Sequence, residues 1–189
     1  MMSDWFVLEV LKNKKEGYYV ELGSADPVSG SNTYKLETDY GWKGVSYDYD
    51  EEHAAKFSSV RSNPCIGKNA ITFDHRKYFE ENDFPERIDY LQVDVDSGYT
   101  AGGRPAGNPG TNLQGLISLP LSTYRFSVIT FEHDALIHFK QNGVRDAQRE
   151  ILDSLGYSLV VRLWHEDWWV DPEVIDYKDY KQFFNMSAP

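Results

Sequence analysis

One cysteine, Cys65, stands among 189 residues, so the chain can form no internal disulfide and build no cysteine cage for a metal. That scarcity points to a reducing, cytoplasmic setting, with Cys65 read as a small buried or half-buried side chain beside Pro64. Basic residues are outnumbered, 19 Lys and Arg against 30 Asp and Glu, and the net charge of -11 excludes the clustered cationic face that nucleic acid requires. The partner it favours is small and neutral or cationic. Long apolar runs are also missing, so no membrane span is expected. The opening "SDWFVLEVLKNKKEG" places acids around its apolar stretch and lysines after it, the reverse of a secretory signal. Finally, Gly23 is followed by Ser24, Ala25 and Asp26, which argues against the G-x-G-x-x-G dinucleotide fingerprint. No internal repeat is visible.

What is present is enough apolar material for a packed core: 41% hydrophobic and 15% aromatic residues, in a length that suits one domain over 1–189. The first 17 residues read as a helix, with Ser3 as cap, Trp5, Leu8 and Leu11 at helical spacing, and Gly17 as its end. Seven short strands are expected at 18–22, 44–49, within 65–73, 88–95, 126–133, 157–164 and 167–171. Helical stretches alternate with them, including "SNTYKLETDYG", "EEHAAKFSSVRSN", "HRKYFEEND", "TNLQGLISLP" and "VRDAQREILDSLG". The last helix carries an apolar stripe of Ile151, Leu152 and Leu155 ended by Gly156. This alternation predicts an α/β fold, a mostly parallel seven-stranded sheet with helices on both faces. The last two strands are too close in sequence for a parallel crossover, so a C-terminal antiparallel hairpin is expected. A Gly- and Pro-rich stretch at 97–112 breaks the pattern and reads either as a surface excursion or as a lid. The tryptophans Trp42, Trp168 and Trp169 read as packing residues.

In such sheets ligands bind beyond the carboxyl ends of the strands. Two acids stand at those ends, Glu21 just before Gly23, and Asp48 in "YDYD". Asp48 is placed to accept hydrogen bonds from both hydroxyls of a ribose. With no phosphate anchor nearby, the ligand that suits this site is a positively charged nucleoside without phosphate, S-adenosylmethionine. The plainer readings stay open: a surface carboxylate for Glu21, helix capping for Asn32 and Thr33, and a solvated acidic run for Asp48 with Asp50, Glu51 and Glu52.

The stretch "YYVELGSADPVSGSNTYKLETDYGWKGVSYDYD" resembles the N-terminal half of FkbM-like S-adenosylmethionine-dependent methyltransferases, and "RIDYLQVDVD", "FSVITFEHD", "ILDSLGYSLVV" and "EDWWVDP" extend the resemblance over nearly the whole chain. It implies a Rossmann-like, class I methyltransferase sheet. It further implies that Glu21, Gly23 and Ser24 surround the methionine end of the cofactor, and that Asn32 and Thr33 open the first sheet helix. Asp48 would bind the ribose, and Asn69 with Ala70 would lie along the adenine edge. The chain departs from the family where Glu-Pro often follows the second strand, having Asp48 and Tyr49, and where the fourth strand usually ends Asp-x-Glu, having Asp94-Val95-Asp96.

Methyl transfer also needs an acceptor near the methyl group and a route for its proton. Asp94 and Asp96, with Glu132, His133 and Asp134, stand at the ends of the fourth and fifth strands. His133 is the expected general base on its unperturbed pKa near 6.5, with a structural histidine tied to a carboxylate as the other reading. The same oxygens suit Mg²⁺ or Mn²⁺, although no metal is predicted. The expected activity is O-methylation of a small hydroxylated acceptor such as a sugar or glycan. A metal-dependent glycosyltransferase using the "DVD" carboxylates and a non-catalytic cofactor-binding module are the alternatives.

Overall fold

The computed structural model describes residues 3–95, 110–133 and 142–186. Helix α1 (Ser3–Val10) precedes an alternation of β1 (Tyr18–Leu22), α2 (Tyr34–Tyr40), β2 (Lys43–Asp48), α3 (Glu51–Val60), β3 (Cys65–Gly67), α4 (His75–Glu81), β4 (Arg87–Val93), α5 (Thr111–Ser118) and β5 (Arg125–Glu132). After α6 (Asn142–Ser154), the strands β6 (Ser158–Arg162) and β7 (Glu166–Val170) lead to α7 (Tyr177–Tyr180) and a 3₁₀ turn at Lys181–Met186. The seven strands form one sheet in the order β3-β2-β1-β4-β5-β7-β6. The first five run parallel, and β7 lies antiparallel to both β5 and β6. The seven expected strands and the C-terminal hairpin are therefore all present. Their order reverses between β1 and β4, which marks where such a sheet opens its ligand crevice.

Because side chains alternate across a strand, each strand feeds two cores. On one face Val20, Leu91, Ile129 and Trp169 pack with Phe79 of α4, Leu116 of α5 and Leu152 of α6. On the other, Tyr19, Tyr90, Val128 and Trp168 pack with Phe6 and Val7 of α1, Leu36 of α2, and Tyr180 and Phe183 from the C-terminal segment. Trp42, Trp168 and Trp169 are buried, as packing residues should be. Gly156 ends α6 with a φ of 84°, and Leu152 is the fully buried member of its stripe.

The N-terminal helix is shorter than its sequence suggests. It stops at Val10, and Lys12 and Asn13 then take left-handed backbone conformations. Its buried side is Phe6, Val7, Leu8 and Val10, while Trp5 is exposed. The stretch "WFVLEVL" is apolar on most of its circumference, so periodicity cannot choose the inward face, and the sheet chooses it. Gly17 lies beyond the helix, where the chain passes the Trp42 indole so closely that a Cβ would sit 2.7 Å from the ring.

Candidate functional site

The site is built at the carboxyl ends of β1, β2 and β4. Gly23 follows β1 with a φ of +88°, and a Cβ there would fall 1.6 Å from the carbonyl oxygen of Asp94. Only glycine lets the β1 and β4 ends approach this closely. Asp94 N–H in turn donates to the Leu22 carbonyl at 2.8 Å, and Gly23 N–H to the Tyr47 carbonyl at 2.9 Å. Three strand ends are thereby tied into one rim.

Above that rim lies a cleft of about 610 Å³, lined by Gly23, Ala25, Tyr47, Asp48, Tyr49, Asp50, His53, Lys68, Asn69, Ala70, Ile71, Asp94, Val95 and Thr111. Its size falls in the range of small-molecule sites. Of the residues singled out in the sequence, Gly23, Asp48, Asn69, Ala70 and Asp94 meet here. Asp48 is oriented from behind: Oδ2 accepts from Ala25 N–H at 3.0 Å and Oδ1 from Asp50 N–H at 2.9 Å. His53 Nδ1 stands 3.7 Å from Oδ2. Asn69 caps the short 3₁₀ turn Ala70–Thr72 by accepting the Ile71 N–H on Oδ1 at 2.9 Å, so its amide NH₂ remains to donate. Tyr47 lines the cleft, while its ring packs on Phe73, His75 and Tyr78 and its hydroxyl is buried with no hydrogen-bond partner. Tyr49, 81% exposed, presents its ring at the mouth.

Glu21, Ser24, Asn32 and Thr33 stand behind this lining. Glu21 is 1% exposed, and its Oε2 accepts from Thr33 Oγ1 at 3.0 Å and Ser46 Oγ at 2.5 Å. Burial pushes its carboxyl up to about 7, against the two hydroxyls and the Arg61 charge. Arg61 is enclosed too, donating to Glu37 Oε2 at 2.7 Å, to Thr33 Oγ1 at 3.1 Å and to the Pro27 carbonyl at 2.9 Å. Asn32 accepts from Ser3 Oγ of α1 at 2.7 Å. Ser24 Oγ lies 3.4 Å from both Asp48 Oδ2 and Cys65 Sγ, and burial raises the Cys65 thiol to about 11. These side chains shape the loop between β1 and α2 from beneath.

His133 is 1% exposed at the end of β5, on the α6 face, with Nε2 3.6 Å from Asp167 Oδ1. Asp167 is anchored by Arg149 at 2.7 Å and by Gln148 at 2.5 Å. Asp96, Asp134 and most of the 97–112 stretch lie outside the described residues. Of that stretch, Gly110 precedes α5 with a φ of 104°, Thr111 reaches the cleft, and Asn112 accepts the Val95 N–H at 2.5 Å. Among the described residues no three His, Cys, Asp or Glu side chains converge to hold a metal. No described helix is long and apolar enough to cross a membrane.

No family model and no curated protein matches the chain. Among solved structures it is similar to the N-methyltransferase NodS from Bradyrhizobium japonicum WM9, with a TM-score of 0.54 at 12% identity over 90% of this chain and 94% of that one. The O-methyltransferase from Bacillus cereus, solved with SAH, aligns with a TM-score of 0.52 at 19% identity over 89% of this chain and 78% of that one. The fold is a Rossmann-like methyltransferase fold. Sequence reasoning missed Tyr47, His53, Lys68 and Thr111 as cleft residues. Their positions beside strand ends and helix starts were the available signal, and only the strand order brings them onto one rim.

Proposed function

We propose that the chain is an S-adenosylmethionine-dependent methyltransferase of the FkbM-like kind, acting on a hydroxyl of a small acceptor such as a sugar or glycan. The observation that carries this is the Asp48 carboxylate, fixed by two backbone N–H groups and facing a cleft at the reversal point of a methyltransferase-type sheet. The residues present fit the cofactor. Asp48 accepts from the ribose hydroxyls, and the Asn69 NH₂ donates to the adenine edge. Asp48, Asp50 and Asp94 against Lys68 and His53 give the cleft a negative balance that suits a sulfonium and disfavours a diphosphate.

The cofactor supplies the methyl group, and the chain must place the acceptor and remove its proton. In this reading the proton passes to His133, held in orientation by Asp167, with Asp94 on the wall of the acceptor's cleft. Titration calorimetry with S-adenosylhomocysteine, beside NAD and UDP with manganese, tests the reading. Micromolar binding of the homocysteine compound alone is expected, and a response to UDP with manganese in its place overturns it. Asp48→Ala should weaken that binding by about 1–3 kcal/mol, the range for hydrogen bonds to a charged acceptor. An unchanged dissociation constant removes Asp48 from the ribose contact.

A further inference from the structure

At one level of the sheet, on the face covered by α1, a row of polar side chains runs across four strands. Glu21 pairs in register with Ser46 and with Gln92, Gln92 with Thr130, and Thr130 with Trp168. Part of the row is internally satisfied. Glu21 holds Ser46, and Thr130 Oγ1 meets the Tyr90 hydroxyl at 2.8 Å. Gln92 is not: it is 6% exposed, and its Oε1 is buried with no hydrogen-bond partner. A buried amide oxygen left in this state costs free energy unless something arrives to donate to it.

The surroundings of Gln92 indicate what could donate. Ser3 bonds Asn32 and Phe6 packs on Trp168 with ring centroids 4.9 Å apart, so the first turn of α1 lies over the carboxyl edge of this face. That turn brings Asp4, whose Oδ1 is also buried and unpartnered. Glu166, which opens β7 two residues before Trp168, shares the Trp168 face and stands directly across from Glu132. Burial first, and then the charges of Glu166, Glu21 and Asp4, hold the Tyr90 hydroxyl well above its ordinary pKa, so Tyr90, on the same face as Gln92, feels all three carboxyls. Burial pushes the Glu166 carboxyl up to about 6, against the pull of Trp168 and His133. The Trp168 indole N–H on this face is also buried without a partner and can serve one acceptor, but two orphaned acceptors beside the acids Glu21 and Glu166 still favour a group that is all donors and carries positive charge.

We propose that the carboxyl edge of the α1 face is a second binding site, taking a primary ammonium group among Gln92, Asp4 and Glu166. Asp94, two residues beyond Gln92, lines the cleft described above, so the two sites share a wall. Calling the amine part of the methyl acceptor, which would then be a hydroxylated amine such as an amino sugar, rests on the methyltransferase reading; the binding of the amine does not.

The test uses the whole ¹⁵N-labelled chain titrated with glucosamine, with glucose and N-acetylglucosamine as neutral controls, each with and without S-adenosylhomocysteine. The readouts are the Gln92 side-chain amide and the Trp168 indole N–H resonances. Glucosamine should move both and bind about tenfold more tightly than glucose. Asp4→Asn and Glu166→Gln should each erase most of that preference, and Glu166→Gln alone decides if Asp4→Asn fails to fold. Equal affinity for the three sugars, shifts confined to other parts of the molecule, or a preference that survives the charge-removing variants overturns the site. A preference for glucosamine in a chain that ignores S-adenosylhomocysteine strikes the methyltransferase reading and keeps this site. Binding of S-adenosylhomocysteine with no preference among the sugars strikes this site alone.

Discussion

Two buried carboxyls, at opposite ends of the same sheet, are treated in opposite ways. Asp171, just past β7 at the amino edge, is fully buried, and its Oδ2 accepts from Arg87 at 2.6 Å and Arg125 at 3.0 Å. Burial pushes its carboxyl up, but the two guanidiniums and the Glu173 N–H more than offset this and hold it below the ordinary carboxylate range. Glu21, at the carboxyl edge and just as deep, is held by two hydroxyls and feels Arg61 without a direct bond, so burial prevails and its carboxyl rises to about 7. The amino edge is a closed clasp of opposite charges. The carboxyl edge keeps an excess of acid and several unsatisfied polar atoms, the condition of a surface built to meet a ligand rather than to lock the fold.

The comparison can be broken most severely at the carboxyl edge itself. Gly23→Ala forces a Cβ into the Asp94 carbonyl and a side chain into a left-handed backbone, and we expect a loss of about 4 kcal/mol in urea unfolding together with loss of cofactor binding. Retention of both would mean that the β1 and β4 ends part easily. At the other edge, Asp171→Asn removes the buried counter-charge of two arginines and leaves them only the exposed Glu173, and we expect it to cost about 3 kcal/mol at pH 7, the low end for a buried pair because both guanidiniums reach solvent. Since the Asp171 pKa is depressed on folding, this contribution is fully present above the unfolded value near 3.9 and is lost as pH falls through the lower folded value, so variant and parent should draw together only in acid below that folded value.

Glu21→Gln sharpens the contrast because its sign is reversed. With a folded pKa of about 7 and an ordinary value of 4.5, the folded chain binds more protons than the unfolded one between those limits, so Glu21 lowers stability as pH rises across them. The glutamine variant keeps an acceptor for Ser46 and Thr33 without that penalty. Its gain over the parent should therefore grow from near zero at pH 4.5 to about 3 kcal/mol at pH 8, and a gain independent of pH would contradict the buried-acid account. The smallest effect serves as the reference. The Lys77–Glu81 pair on α4 is exposed at both ends and spans 3.8 Å, and Glu81→Ala should change stability by less than about 0.5 kcal/mol.

Much of this contrast was legible in the sequence, and its limits are instructive. The acid before Gly23 and the acid of "YDYD" were visible as strand-end residues, because short apolar runs announce buried parallel strands and the chain after them must turn. That Asp48 would face the cleft while Glu21 turned inward onto Thr33 and Ser46 was not visible, since adjacent strand ends present different faces only once their register is known. The segment from Tyr177 to Met186 escaped detection because polar residues are interspersed among its apolar ones in equal number, yet Tyr180 and Phe183 fill the core beneath α1. Arg61 looked like the tail of a helix, and nothing in "SVRSN" foretold a fully buried guanidinium bridging Glu37 and the loop before α2.

The sequence alone determined the elements: seven strands, the helices between them, the terminal hairpin, and which glycine could bear a left-handed turn. These follow from local periodicity and from backbone sterics, which act over a few residues. Tertiary structure alone decided the order β3-β2-β1-β4-β5-β7-β6, the inward face of α1, and the burial of the Gln92 amide without a partner on that face. These depend on contacts between residues far apart in the chain, whose energies are settled only when the whole sheet closes and each polar group finds, or fails to find, a partner.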